Sequence, residues 1–467
     1  MPIRIRQPLL TLAAALLCAG IAACGGGGSG GGIANGGACS VARQKQFVLD
    51  AAREWYLFLD LLPPAVDISD YATTQDLLDA LTATARAQGK DRFFSFLTTP
   101  EADSSFFQEG QFIGFGFQTR IQGNRLFVPD VFESSPAAAG GLTRGIEITA
   151  VDSGSGFVPI ATILAGDPNL EQAFGPANQG IQRGLRYLRL DGQQVEVTLA
   201  KALVTILPVP PANGTAILAL PANPSVPVGY IHLRTFISTA ETPLRDAYAQ
   251  FRAQGINYVI VDLRSNGGGL ISVAEFIGDL NGRNRAAADV YSNMHFNPAK
   301  SSNDSVHRFQ AQQQSIAPVR IAFITNGGTA SASELVVNAM KPWAEIAIVG
   351  EDTYGKPVGQ LAFDMAGCDL RLRLIAFKVT NANDEGDYFD GLASTLAFAC
   401  RATDDLSRTP GDPVEDSTAE ALNWLGTGAC GQVMSTGVPG LHLTLAPART
   451  PIPRAPAPAQ AYLPGLF

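Results

Sequence analysis

A serine and a lysine stand in one stretch of the chain where they could act together as a nucleophile and its base. Ser331 lies in TASASE, between the apolar, β-branched run VRIAFIT and the helical pattern ASELVVNAM. This order predicts a turn from a buried strand into a helix, where the first helical N–H groups have no internal partner and favour negative charge. A carbonyl attacked by Ser331 would therefore find hydrogen-bond donors beside it.

The candidate base is Lys356, because a hydroxyl becomes a strong nucleophile only when a neighbouring base takes its proton. Lys356 follows the apolar run IAIVG and the turn EDTYG, and Gln360 could orient its amine. Since the pKa of lysine is ordinarily about 10.4, deprotonation near neutral pH costs about 4 kcal/mol, which burial can supply. No histidine stands in a catalytic motif; the four are His232, His295, His307 and His442. The residues thus predict hydrolysis by a Ser/Lys pair.

Upstream, the sequence predicts the strand, helix and strand that must position this pair. The three segments are VGYIHLRTF, ETPLRDAYAQFRAQG and INYVIVDLRSNGGGL. Glycines after a buried parallel strand let the backbone approach a ligand closely and aim its N–H groups outward. The alternative is a tight turn without chemistry. Asp262 and Arg264 are expected to form a structural ion pair.

TASASE followed by GKPVGQ resembles the active-site signature of the carboxyl-terminal processing, or tail-specific, serine proteases. The resemblance implies that Ser331 is the nucleophile, Lys356 the general base and Gln360 its orienting partner. Two positions depart from the family pattern. Pro342 stands where some members have an aspartate, and Pro357 stands where many have glycine.

The same resemblance implies an oxyanion hole made of two backbone N–H groups. One belongs to Ala332, directly after the nucleophile, and the other to the DLRxNxGG pattern. Many relatives have proline, which cannot donate, at the position of Gly267. Gly268 is therefore the expected second donor.

The segment 106–203 has the short, alternating apolar runs of half-buried strands. Its SPAAAGGLTRGIEITAVD resembles PDZ domains, which implies that an extended peptide adds a strand to the sheet edge. The implied carboxylate-binding loop is GFGF, comprising Gly114, Phe115, Gly116 and Phe117. A rigid spacer without a working carboxylate site is the alternative.

Residues 1–24 have the layout of a signal peptide. An apolar run over 9–23 follows two arginines and is too short to span a bilayer comfortably. It ends in IAAC, which resembles a bacterial lipobox and implies lipid on Cys24. Stable anchoring needs more than one acyl chain. Residues 25–38 are rich in glycine and predict a flexible tether. The expected location is the bacterial cell envelope, facing the periplasm, with the glycine after Cys24 favouring the outer membrane.

The composition and the cysteine count exclude some partners and predict disulfide bonds. The net charge of −9 argues against a nucleic-acid partner, and 46% hydrophobic residues suffice for sizeable cores. Besides Cys24 and one cysteine in the signal segment, four remain, which in an oxidising compartment predict two disulfides. Three pairings are open, and Cys368 with Cys400 and Cys39 with Cys430 is the favoured one. Their separation is not a zinc pattern, so neither a metal nor a cofactor is expected.

The predicted fold class is multidomain α+β. It has an α/β core of the βαβ-spiral type found in ClpP and crotonase, together with the β-rich PDZ domain. The helical region 39–105 is expected to pack beside that domain. The core spans 204–445, and 446–467 is a Pro/Ala-rich tail, expected to be mobile and without chemistry.

The predicted partners are protein or peptide substrates with free C-terminal tails, and the membrane through Cys24; the oligomeric state stays open. In this interpretation a substrate tail docks on the PDZ domain and Ser331 attacks a peptide bond. A rival interpretation keeps the fold but makes the chain an inactive, lipid-anchored PDZ scaffold, which would need neither Ser331 nor Lys356. An acyl-CoA enzyme would share the oxyanion hole but has no use for a PDZ domain.

Overall fold

The structure, a computed structural model, describes residues 37, 39–434, 450–451 and 456–467. The predicted signal segment, Cys24 and nearly all of the glycine-rich tether lie outside these ranges. None of the helices in the described ranges has the length and hydropathy that a transmembrane span needs. The lipid anchor on Cys24 stays a prediction.

Helices of the described residues are numbered in chain order. They are α1 (Val41–Trp55), α2 (Thr74–Ala87), α3 (Pro100–Ser104), α4 (Pro136–Ala139), α5 (Ile160–Gly166), α6 (Glu171–Phe174), α7 (Glu241–Ala253), α8 (Ile271–Asn281), α9 (Ala332–Met340), α10 (Asp416–Thr427) and α11 (Pro458–Tyr462).

Strands are numbered in the same way. They are β1 (Phe96–Thr98), β2 (Gln111–Gly114), β3 (Arg120–Gln122), β4 (Arg125–Phe127), β5 (Glu147–Asp152), β6 (Phe157–Pro159), β7 (Gln182–Leu188), β8 (Gln194–Ala200), β9 (Ala202–Thr205), β10 (Thr215–Leu220), β11 (Asn223–His232), β12 (Tyr258–Asp262), β13 (Val290–Phe296), β14 (Ser305–Arg308), β15 (Arg320–Thr325), β16 (Glu345–Gly350), β17 (Val358–Asp364), β18 (Arg371–Thr380) and β19 (Ala399–Arg401).

A largely parallel sheet forms the core that carries the candidate chemistry. Its strands lie in the order β10-β11-β12-β15-β16-β19. Only β10 runs antiparallel to its neighbour in this sheet. The strands β12, β15 and β16 are buried almost throughout, as expected when helices cover both faces. Helices α7, α8 and α9 pack on one face and α10 on the other. The predicted α/β core is confirmed.

An antiparallel sheet of β1, β13, β14, β17 and β18 packs against the same core. Phe377 of β18 lies in the core beneath the parallel sheet. Leu372 and Leu374 of the same strand pack instead against Leu49 of α1 and Leu81 of α2. The helices α1 and α2 therefore pack on β18, so the expectation that the helical region packs beside the β-rich segment was wrong for these helices. Only the end of the region, at Phe96, shares a buried cluster with Phe106 and Phe132 of that segment.

The segment 106–203 forms its own antiparallel sheet. The strand order is β3-β4-β5-β7-β8, β6 pairs with β5, and β2 pairs separately with β9. Buried residues such as Phe117 form a core under this sheet. Ion pairs from Arg120 and Arg144 to the buried Asp404 join the segment to the parallel-sheet region. The described chain is thus mixed α+β with several sheets.

The favoured disulfide pairing was wrong. Cys39 is bonded to Cys368, with Cα atoms 4.9 Å apart, and Cys400 to Cys430, with Cα atoms 5.0 Å apart. Cys39 precedes α1, which packs on β18, and Cys368 lies in the turn that leads into β18. Cys400 belongs to β19, and Cys430 follows α10, which covers that part of the sheet. Each bond therefore joins elements that already pack together.

The described end of the tail, residues 456–467, is packed, contrary to the expected mobility. It contains α11, and several of its side chains are at most 3% exposed. These are Ala459, Tyr462, Leu463, Leu466 and Phe467. Their partners are described with the site below.

Candidate active site

Ser331 stands at the turn between β15 and α9, as the sequence predicts. Its backbone has φ 58° and ψ −116°, a conformation that costs a non-glycine residue of order 1–3 kcal/mol. Hydrogen bonds from the loop after β12 hold the turn. The Ala330 N–H and the Ser333 Oγ both donate to the carbonyl oxygen of Asn266, at 3.0 and 2.9 Å. Such an imposed conformation is typical of functional residues.

Lys356 is buried, with only 7% of its surface exposed. Its Nζ donates to Gln360 Oε1 at 3.4 Å and lies 4.9 Å from the centre of the Phe94 ring. Burial lowers the pKa of Lys356 to about 8, although the carboxylates of Asp91 and Glu334 oppose this fall. Near that pH a substantial fraction of the amine is neutral and can accept a proton.

One cavity of about 230 Å³ is lined by Ser331, Lys356 and Gln360. Apolar side chains such as Leu335 and Phe377 complete much of its wall. The structure therefore brings the three predicted catalytic residues to a common space. A nucleophile, a base of lowered pKa and a low-polarity surround are the parts that acyl transfer requires.

Glu334 is a site residue that the sequence interpretation missed. Its carboxylate is fully buried and accepts hydrogen bonds from the N–H groups of Ser331 at 2.9 Å and of Gly355 and Lys356 at 2.7 Å each. Burial raises the pKa of Glu334, and these N–H groups act in the opposite direction. The side chain ties the nucleophile turn to the lysine turn. Its signal was the S-x-x-E spacing of a capping box in SASE.

The glycine loop after β12 lies beside the nucleophile turn, and its N–H groups differ in their hydrogen-bond partners. The Gly268 N–H donates to Asn266 Oδ1 at 2.9 Å and is not free. Gly269 lines the cavity together with Ala332, and neither N–H has a hydrogen-bond partner among the described residues. The structure thus favours Gly269 and Ala332 as donors to an oxyanion. Gly268 has a steric role, since a Cβ there would lie 2.8 Å from Ala330 O.

Asp262 and Arg264 form the structural ion pair that the sequence predicts. Arg264 Nη2 lies 2.6 Å from Asp262 Oδ2, and its Nη1 lies 2.8 Å from Glu415 Oε1. The Tyr230 hydroxyl donates to Asp262 at 2.8 Å. All four groups are buried, so the network fixes the strand end from which the glycine loop departs.

The GFGF loop holds Phe467. The N–H groups of Gly116 and Phe117 donate to Phe467 O at 2.9 and 3.4 Å, and the Phe467 N–H donates to Phe117 O at 3.0 Å. A Cβ on Gly114 would lie 3.2 Å from the Phe467 carbonyl carbon. Phe115 is buried in the core that also contains the Phe467 side chain. The predicted peptide-binding residues therefore surround one residue of the chain itself.

Tyr462 reaches the candidate catalytic residues from the same segment. Its hydroxyl donates to Gln360 Oε1 at 2.5 Å, and its ring centre lies 5.4 Å from Lys356 Nζ. The Gly267 N–H donates to Tyr462 O at 2.9 Å. The sequence interpretation gave this residue no role.

Two family models match the chain. Residues 227–392 match Peptidase family S41, and residues 43–96 match the Peptidase S41 N-terminal domain. The carboxyl-terminal-processing protease of Synechocystis sp. is 27% identical over 284 residues, which are 59% of this chain and 60% of that protein. The chloroplastic C-terminal processing peptidase of Tetradesmus obliquus is 28% identical over 246 residues, 50% of this chain and 47% of that protein. The matches thus span less than two thirds of these relatives.

Solved structures have the same fold. A crystal structure from Bacteroides fragilis, described as that of an S41 protease, superposes with a TM-score of 0.62 at 18% identity. The match covers 82% of this chain and 97% of that one. The photosystem II D1 C-terminal processing protease gives a TM-score of 0.50 at 18% identity, covering 85% and 100%. These likenesses support the mixed α+β fold. The two family models show that the chain is similar to peptidase family S41 over residues 227–392 and to its N-terminal domain over residues 43–96.

Proposed function

We propose that the chain is a serine endopeptidase that recognises the C-terminal tails of protein substrates and cleaves them with Ser331 and Lys356. The observation that carries this proposal is that the strained Ser331 and the buried Lys356, whose pKa is lowered, line the same cavity. The names of the relatives, which describe carboxyl-terminal processing, agree with it.

In the first step, neutral Lys356 takes the proton of the Ser331 hydroxyl as Oγ attacks the substrate carbonyl carbon. The resulting oxyanion accepts hydrogen bonds from the N–H groups of Gly269 and Ala332, and one such donor is worth about 2.7–4 kcal/mol. The ammonium of Lys356 then gives its proton to the leaving amine, and an acyl-serine remains. Water, deprotonated by Lys356, attacks this ester and releases the acid.

Tail recognition is assigned to the segment 106–203, taken as a PDZ domain. A substrate tail would add a strand beside Gln118, with its last carbonyl oxygen on the N–H groups of Gly116 and Phe117. The Phe467 contacts support this geometry because they use the same donors. We further propose that lipid on Cys24 anchors the chain in the bacterial cell envelope, facing the periplasm.

The test compares the wild type with Ser331→Ala on an unfolded protein substrate. Ser302→Ala, a change at an exposed serine, is the matched control. Cleavage should disappear in Ser331→Ala and persist in the control. A serine-reactive probe should label the wild type but not Lys356→Ala. Equal cleavage by wild type and Ser331→Ala would reject the proposal, and absent cleavage and labelling in the wild type would favour an inactive scaffold.

A further inference from the structure

The proposed tail-binding groove, which residues 116–119 line, is occupied by the segment 456–467. Leu466 pairs with Gln118 in an antiparallel bridge, and the Thr119 N–H donates to Gly465 O at 2.8 Å. Together with the bonds to Phe467, these contacts lay residues 465–467 antiparallel beside residues 117–119. Backbone pairing of this kind is how such grooves bind extended peptides. The segment uses the contacts that the proposed function gives to a substrate.

The side chain of Phe467 fills an aromatic pocket. It is 3% exposed, and its ring centre lies 4.5 Å from that of Phe174. Phe115 and Phe117 belong to the same buried cluster. Burying a phenylalanine side chain is favourable because its apolar surface leaves water, whereas a charged side chain would lose its hydration there. The pocket therefore selects a large apolar residue.

The same segment covers the proposed base. Tyr462 is 3% exposed. Its hydroxyl donates to Gln360 Oε1, the same oxygen that accepts a hydrogen bond from Lys356 Nζ. Burial raises the pKa of Tyr462 to about 12, so its hydroxyl stays a donor. Its main chain is fixed on the glycine loop through Gly267. One peptide thus bridges the groove and the catalytic cavity.

We propose that residues 456–467 are a built-in competitor of the substrate, and that the substrate tails able to displace them place phenylalanine or another large apolar residue in the pocket that holds Phe467. This inference rests on the proposed function. A tethered peptide competes at an effective concentration on the order of millimolar. A groove that is free for only about 1% of the time binds an added tail about 100-fold more weakly than an empty one.

The experiment measures binding without proteolysis, in the Ser331→Ala background. The probe is a fluorescent peptide of the sequence AYLPGLF, corresponding to residues 461–467, read by anisotropy. Removing residues 456–467 should tighten binding about tenfold or more. Phe467→Ala leaves the segment in place but weakens its anchor, so it should give a smaller gain in affinity. A probe ending in aspartate should bind the shortened protein about tenfold more weakly.

Two controls make the outcome decisive. Gly116→Val, whose Cβ would meet Ser135 Cβ at 2.1 Å, should abolish probe binding in the shortened protein. Circular dichroism checks that each variant is folded. Equal probe affinity with and without the segment, and with Phe467→Ala, would overturn the inference. If the affinities differ as expected but the protein that lacks residues 456–467 and retains Ser331 cleaves nothing, the competitor stands and the proposed protease fails.

Discussion

In the proposed function, the catalytic cavity and the groove would both present backbone N–H groups to a substrate carbonyl oxygen, but they obtain their geometry differently. The cavity depends on a buried side chain, Glu334, which fixes two turns from within. The groove depends on a sheet edge, which accepts whichever strand lies beside it, and Phe467 now lies there. In the proposed function, chemistry is thus placed on rigid turns, whereas recognition is left to an exchangeable peptide.

The largest expected effect comes from removing the base. Lys356→Met keeps the length of the side chain but cannot accept a proton, so turnover should fall about 10³-fold. Lys378→Met is the control, because Lys378 of β18 pairs with Asp387 in the loop after this strand and does not line the cavity. Steady-state cleavage of a peptide measures both. A fall of only a few-fold for Lys356→Met would mean that another group is the base.

A smaller effect is expected for Glu334→Gln. An amide cannot accept from all the N–H groups that the carboxylate holds, so both turns should loosen and turnover should fall about 10- to 100-fold. The negative charge of Glu334 also raises the pKa of Lys356. Its removal should move the rise of activity with pH to lower pH, which distinguishes this role from simple destabilisation. An unshifted pH profile would contradict the electrostatic role.

Local patterns explain why the sequence predicted the catalytic cavity better than it predicted what lies in the groove. Ser331 and Lys356 stand in short motifs whose strand, turn and helix signals are adjacent in the chain. Glu334 could have been found from the same turn. The Pro- and Ala-rich end of the chain carries no periodicity, and its position depends on a groove formed by distant residues around Gly116. The disulfide partners of Cys39 and Cys400 depend likewise on which helix packs on which strand.

The smallest effect on turnover is expected for the disulfides, and it should differ between them. Replacing Cys39 and Cys368 by serine frees the helical region from the β17–β18 hairpin, which carries Gln360. Replacing Cys400 and Cys430 loosens the far side of the sheet. Each loss should cost about 2–5 kcal/mol in the free energy of unfolding, measured by denaturant titration. Only the loss of the Cys39–Cys368 bond should also lower turnover. A larger loss of turnover after removal of the Cys400–Cys430 bond would contradict this difference.

The central claim is that Lys356 is a neutral base at the active site, and the pH dependence of Ser331 acylation tests it most directly. The measurement is the rate of labelling by a serine-reactive probe from pH 6 to 10. Since the unprotonated amine is the reactive form, the rate should rise about tenfold per pH unit and level off above about 8. Lys356→Met should lose this dependence. A wild-type rate that is flat across this range, or that keeps rising to pH 10 without levelling off, as expected for the ordinary lysine pKa of about 10.4, would contradict the account.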